Sequence, residues 1–228
     1  MPGRIHFSGP LRYRRQALAS ISRSVRRASV RRAMKGPARP GWNWFVEVAT
    51  EVLRNHLIRA FNMDDAREAR LYLDSVVFDS PALRQVKMSS FASDKIRGDW
   101  VVPKQGEPAA TLLYFHGGGY SFYPKAYSSV IALITVAAKC KTFALDYRLS
   151  PEHRFPAQLE DALNAYRWLL ENGSDPDKLI VGGDSAGANL TLALLLAARE
   201  RRLPLPALAV VLSPPTDFDP PEDFASSE

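Results

Sequence analysis

The sequence predicts an α/β protein built on a mostly parallel sheet. From about Phe78 onward, short apolar runs alternate with longer segments of helical periodicity. Apolar strands separated by helices are what parallel strands leave when crossover helices cover both faces of the sheet. The 228 residues suffice for one sizeable core with a small appendage. A hydrophobic content of 46% with 24% charged residues is ordinary for a globular chain.

The charge is unevenly placed. Residues 1–40 hold eleven Lys and Arg and no acid, so the net +6 conceals a globular part with 19 basic and 24 acidic groups. The arm is Arg- and Ser-rich, as some transit peptides are, and is expected to be a solvated, disordered leader. Leu11, Leu18, Ile21, Val25 and Ala28 are spaced so that a weak amphipathic basic helix also fits, which leaves membrane-surface contact by residues 1–40 open. No nucleic-acid partner is expected. The run "KGPARPGWN" from Lys35 to Asn43 reads as a linker.

Residues 41–77 read as a helical cap. Phe45, Val48, Ala49, Val52, Leu53, Leu57 and Phe61 fall near one helical face, and "MDDAREARLYLDSV" opens a second helix on acids that suit the positive end of its dipole. Residues 78–228 read as the α/β core. Its strands are "ATLLYF", "TFAL", "LIV" and "ALAVVL", and its helices begin at Tyr127, Pro156 and Ala188. The helix from Pro156 starts on proline in its first turn and stops at Asn172-Gly173. The segment after Ser185 is apolar on almost every side, so it should be the most buried helix. Cys140, the single cysteine, excludes an internal disulfide, sits among apolar residues, and fits a cytoplasmic compartment.

Two motifs carry chemistry. Gly183-Asp184-Ser185-Ala186-Gly187 is the G-x-S-x-G pattern that presents a serine on a sharp strand-to-helix turn. The glycines two positions either side of Ser185 remove clashes, and the N–H of Ala186 points outward at the positive helix end, where it can hold a developing oxyanion. "LLYFHGGGY" puts Gly117, Gly118 and Gly119 directly after a strand, where bare N–H groups can approach a substrate oxygen. A phosphate loop would need Gly-Lys-Ser/Thr, which is absent. His116 reads as a structural histidine pinning this loop.

"HGGGY", "LDYRLSPEHRFPAQLEDALNAYRWL", "GGDSAGANL" and "LSPPTD" together resemble the hormone-sensitive-lipase group of α/β-hydrolases, over about Asp99 to Asp217. The resemblance implies an α/β-hydrolase fold and a serine carboxylic-ester hydrolase acting on small acyl esters or lactones. Ser185 would be the nucleophile, Gly117, Gly118 or Gly119 with Ala186 the oxyanion-hole donors, Asp184 structural, and His153 outside the chemistry. No metal and no other cofactor is implied.

In such hydrolases the triad acid and histidine both follow the serine. Here His6, His56, His116 and His153 all precede Ser185, and the acids after it are Glu200, Asp217, Asp219, Glu222, Asp223 and Glu228. Asp217 matches the aspartate of the "SPxTD" segment, which is not the triad acid. The C-terminal third of the domain is therefore expected to be missing, with activity strongly reduced. "ALAVVL" should become an exposed edge strand prone to association. The alternative is a non-catalytic ligand-binding protein on the same scaffold.

Overall fold

The structure, a computed structural model, describes residues 4–217. These form two compact units, one comprising the chain up to Asp79 with Pro124–Ala126, the other Ser80–Tyr123 with the chain from Tyr127 onward.

The first unit contains β1 (Arg4–Phe7), α1 (Leu11–Lys35), α2 (Trp44–Phe61), α3 (Ala66–Leu73) and β2 (Val76–Asp79). The arm expected to be disordered is mostly the 25-residue helix α1. Its buried seam is Tyr13, Ala17, Ser24 and Ala28, mostly small residues four and seven apart. Leu11 and Leu18, expected on the apolar face, are instead 56% and 47% exposed. What holds α1 is polar as much as apolar. Arg31 and Arg32 donate to the buried Glu47 carboxylate of α2 at 3.1 and 2.5 Å, and the Ala38 N–H adds a third bond at 3.0 Å. Burial works to raise the Glu47 pKa, but the Ala38 bond and the two guanidinium groups outweigh it and hold the carboxyl below its ordinary range. Arg12 reaches Glu68 of α3 at 2.6 Å. Asn43 caps α2 through the Val46 N–H, and Asp65 caps α3 through Arg67 and Glu68.

The second unit is a six-stranded sheet. Its strands are β3 (Val86–Ala92), β4 (Arg97–Pro103), β5 (Thr111–Phe115), β6 (Lys141–Leu145), β7 (Leu179–Asp184) and β8 (Leu208–Leu212), in the order β3-β4-β6-β5-β7-β8. The four strands from β6 to β8 are mutually parallel; β3 and β4 pair antiparallel at one side. Helices α4 (Tyr127–Ala138), α5 (Ala157–Glu171) and α6 (Ala186–Glu200) connect them.

Strand alternation splits the core between the two faces. Leu113, Phe115, Phe143 and Leu145 pack with Tyr166 and Leu169 of α5 and Leu190 and Leu194 of α6. Leu112, Tyr114 and Ala144 pack with Ile131 and Ala132 of α4 and with the buried Cys140. The expectation that α6 is the most buried helix is met only equally with α5: each buries eight of its fifteen residues, and Leu196 of α6 is 53% exposed. β8 lies at the sheet edge, with Leu208 52% and Leu212 50% exposed. No described helix is long and apolar enough to cross a membrane.

Candidate active site

β5 and β7 are adjacent and parallel, with Phe115 opposite Gly183, so both sequence motifs emerge at the same carboxyl edge of the sheet. In open α/β sheets ligands bind at that edge.

Ser185 joins the end of β7 to the start of α6 and is exposed. Its backbone has φ 50° and ψ −121°, a strained conformation for a residue with a side chain. Two bonds fix it: the Ser185 N–H donates to Leu212 O at 2.8 Å, and its carbonyl accepts the Asn189 N–H at 3.1 Å. The flanking glycines follow from close packing against the end of β5. A Cβ on Gly187 would press on Phe115 O and stand 2.6 Å from His116 O; one on Gly183 would press on Phe115 O and stand 2.6 Å from Gly187 O. All these are backbone atoms of a buried strand end and turn, which cannot move aside. Ala186 opens α6, so its N–H is one of the first-turn donors with no intrahelical acceptor, at the positive end of the helix.

The three glycines after β5 do not behave alike. The Gly117 N–H is already donated to Asp184 Oδ1 at 3.0 Å, which removes it from the expected set of oxyanion donors. Gly118 and Gly119 have φ of 120° and 59°, and Gly118 O accepts the N–H groups of Ser121 and Phe122 at 3.0 Å. Their own N–H groups meet no acceptor among the described residues.

Asp184 does more than occupy the variable position of the serine motif. Oδ1 accepts the Tyr114 hydroxyl at 2.7 Å as well as the Gly117 N–H, and Oδ2 accepts the Tyr127 hydroxyl at 2.7 Å. One carboxylate thus ties the serine turn, β5, the glycine loop and α4 together. Burial first, and then the Asp184 charge, push the Tyr114 and Tyr127 hydroxyls far above the ordinary tyrosine range, so both stay protonated donors.

His116 is held in a sandwich. Its ring stacks on Tyr123 at 3.7 Å and on Tyr147 at 4.1 Å, while Nδ1 lies 2.8 Å from Gly117 O. Burial lowers its pKa to about 4, so the ring is neutral at pH 7 and Nδ1 is the donor. Its Nε2 is buried and finds no partner among the described residues. The Tyr147 hydroxyl donates to His116 O at 2.7 Å. Tyr120 completes the frame, donating to Asn189 of α6 at 2.6 Å, and Asn189 donates to Pro215 O at 2.9 Å. His153 is exposed, in the turn that follows β6. Of the downstream acids, Glu200 ends α6 and Asp217 is exposed; Asp219, Glu222, Asp223 and Glu228 lie outside the described residues.

The sequence alone singled out Ser185, the glycines and Ala186. It did not reveal the Asp184 bridge or the tyrosine sandwich, whose members are brought together only by the sheet.

Comparison with known proteins points to the same fold. A sequence model described as the alpha/beta hydrolase fold matches residues 112–228. An acetyl-hydrolase of Streptomyces hygroscopicus is 45% identical over 121 residues, 53% of this chain and 40% of that protein. An ethyl acetate hydrolase of Pseudomonas putida is 42% identical over 125 residues, 50% of this chain and 39% of its own length. Among solved structures, EstE5 soaked with p-nitrophenyl butyrate superposes with a TM-score of 0.62 at 33% identity, over 71% of this chain and 57% of that one. An esterase from the bacterial hormone-sensitive lipase family gives 0.58 at 30% identity, covering 88% of this chain and 59% of its own. The chain therefore spans well under two thirds of the relatives it matches.

Proposed function

With the chain a member of this α/β-hydrolase family, we propose that it carries the nucleophile and oxyanion hole of a carboxylic-ester hydrolase for small acyl esters or lactones. The observation that supports this reading best is the strained, exposed Ser185 at the N-terminus of α6, beside a glycine loop with open N–H groups. Ser185 Oγ attacks the ester carbonyl, and the N–H groups of Ala186, Gly118 and Gly119 receive the oxyanion. Collapse of the tetrahedral intermediate breaks the bond to the leaving oxygen, which departs as the alcohol after solvent carries the Ser185 hydroxyl proton to it, and the acyl-serine left behind is hydrolysed by water. His116 is sandwiched between Tyr123 and Tyr147, bonded to Gly117 O and made a weak base by burial, so its role here is to hold the loop and not to take the Ser185 proton.

No histidine follows Ser185 in the 228 residues. Loss of a triad base lowers turnover on the order of 10⁶-fold, with roughly 10³–10⁴ over water remaining from the oxyanion hole and binding. These residues by themselves should therefore show weak hydrolysis. The second reading is a ligand-binding protein on this scaffold with no turnover.

The test is to treat chain 1–228 and Ser185→Ala with a fluorophosphonate and a short-chain p-nitrophenyl ester. A single adduct on Ser185, with slow ester hydrolysis lost in the variant, is expected. Equal labelling and equal rates in both proteins would refute the nucleophile assignment. Labelling without any hydrolysis would favour the binding protein.

A further inference from the structure

α1 carries nine Lys and Arg and no acid, and one flank of it, with α2, lines a groove of about 850 Å³. The flank presents Arg23, Arg26, Arg27 and Lys35, with Val30 and Met34 among them. Val30 is 51% and Met34 76% exposed. Arg27 lies 3.6 Å from Glu51, whereas Arg23, Arg26 and Lys35 have no carboxylate within 4.0 Å among the described residues. Of the basic groups that hold α1 in place, Arg12 and Arg32 lie off the groove, and Arg31, which lines it, is engaged by Glu47. The charges of Arg23, Arg26 and Lys35 are therefore not the ones that pair α1 with its neighbours.

We propose that this flank docks on the surface of an anionic lipid bilayer, with the guanidinium and ammonium groups on headgroup phosphates and Val30 and Met34 entering the headgroup–acyl boundary. Four to eight basic residues on an amphipathic helix are the usual footprint of such binding. A single free phosphate does not match the extent of the site: the basic positions run from Arg23 to Lys35, about 18 Å along the helix axis. A single-stranded nucleic acid would call for aromatic rings to stack on bases, and the groove is lined by none. Exposed aliphatic and thioether side chains between arginines gain by leaving water for the acyl boundary, and gain nothing on a polar polyanion.

The test is co-sedimentation of the full chain with vesicles of phosphatidylcholine alone and of phosphatidylcholine with 30 mol % phosphatidylserine. Inorganic phosphate, an oligonucleotide and polyglutamate serve as competitors. Binding is expected only to the anionic vesicles, to weaken steeply with salt, and to resist millimolar phosphate. Arg23→Ser with Arg26→Ser should lower partitioning about thirtyfold, from roughly 1 kcal/mol per basic residue near the surface. Val30→Ser with Met34→Ser should lower it at constant charge, which simple charge attraction would not do. Circular dichroism and urea midpoints confirm that each variant is folded. Equal binding to neutral and anionic vesicles, or unchanged binding by the arginine variant, would overturn the proposal. So would displacement by phosphate, or tighter retention on the oligonucleotide or polyglutamate than on vesicles.

Discussion

Replacing Asp184 by asparagine keeps the shape of the group that joins the serine turn to the glycine loop and removes its charge. Three donors meet that carboxylate, the Tyr114 and Tyr127 hydroxyls at 2.7 Å and the Gly117 N–H at 3.0 Å. Hydrogen bonds to a charged group contribute about 1.5–3 kcal/mol each and neutral ones about 0.5–1.5. An amide oxygen in the Oδ1 place keeps two bonds at the lower strength. The amide nitrogen in the Oδ2 place faces Tyr127, whose hydroxyl must turn round to accept and then leaves its own hydrogen without a carboxylate. The summed loss is about 3 kcal/mol. Trp100 and Trp168 pack on Phe143 at 5.0 and 6.0 Å, so tryptophan fluorescence reports unfolding of this unit in urea. A double-mutant cycle with Tyr127→Phe should show a coupling of about 1–2 kcal/mol, since both changes break the same bond. A cost for Asp184→Asn below about 0.5 kcal/mol, or simple additivity, would refute the reasoning.

Three further outcomes are expected. Gly187→Ala places a Cβ against the backbone of Phe115 and His116 and should cost about 3 kcal/mol or more; a urea midpoint near that of the parent would show that the turn is looser than described. His116 has its pKa lowered to about 4 from an ordinary value near 6.5, so the unfolded state takes up the proton first as the pH falls. The stability it contributes is fully present above about pH 6.5 and is lost towards pH 4, about 2–3 kcal/mol between pH 7.5 and 4.5. That slope should be shallower in His116→Phe by this amount, and parallel slopes would remove the sandwich from the account. Finally, exposed apolar residues on the β8 edge should make the chain associate with rising concentration, and Val210→Lys should weaken this; sedimentation velocity showing one monomeric species for both proteins would exclude it.

How much of this could be read from the residues depended on how far apart in the chain the partners lie. β5 and β7, and α5 between them in the chain, each bury a continuous apolar pattern, and a local window suffices to find them. β3, with the sequence VKMSSFA, is exposed at most positions and leaves no such pattern. In α1 the large aliphatic residues suggested one face, but the seam that packs is made by Tyr13, Ala17, Ser24 and Ala28. Alanine and serine carry little hydropathy signal, and the Arg31 and Arg32 bonds to Glu47 cross the linker. At the site, the spacing of Ser185 and its glycines is local and legible. The partners of Asp184 stand 57 to 70 positions away, and only the parallel pairing of β5 with β7 brings them within reach.

The bond from the Ser185 N–H to Leu212 O also has a bearing on how the protein is made. During vectorial synthesis β5, α4, β6, α5, β7 and α6 can all emerge before the residue that anchors the serine backbone has been added. The strained turn then has its glycines and its helix but not its fixing carbonyl. Parallel pairing of β7 with β8 must close over the whole of α6, a non-local step that is slow relative to helix formation. Ser185 therefore reaches its final geometry late, and a nascent chain stalled before Leu212 would present the motif without the alignment that the finished sheet imposes.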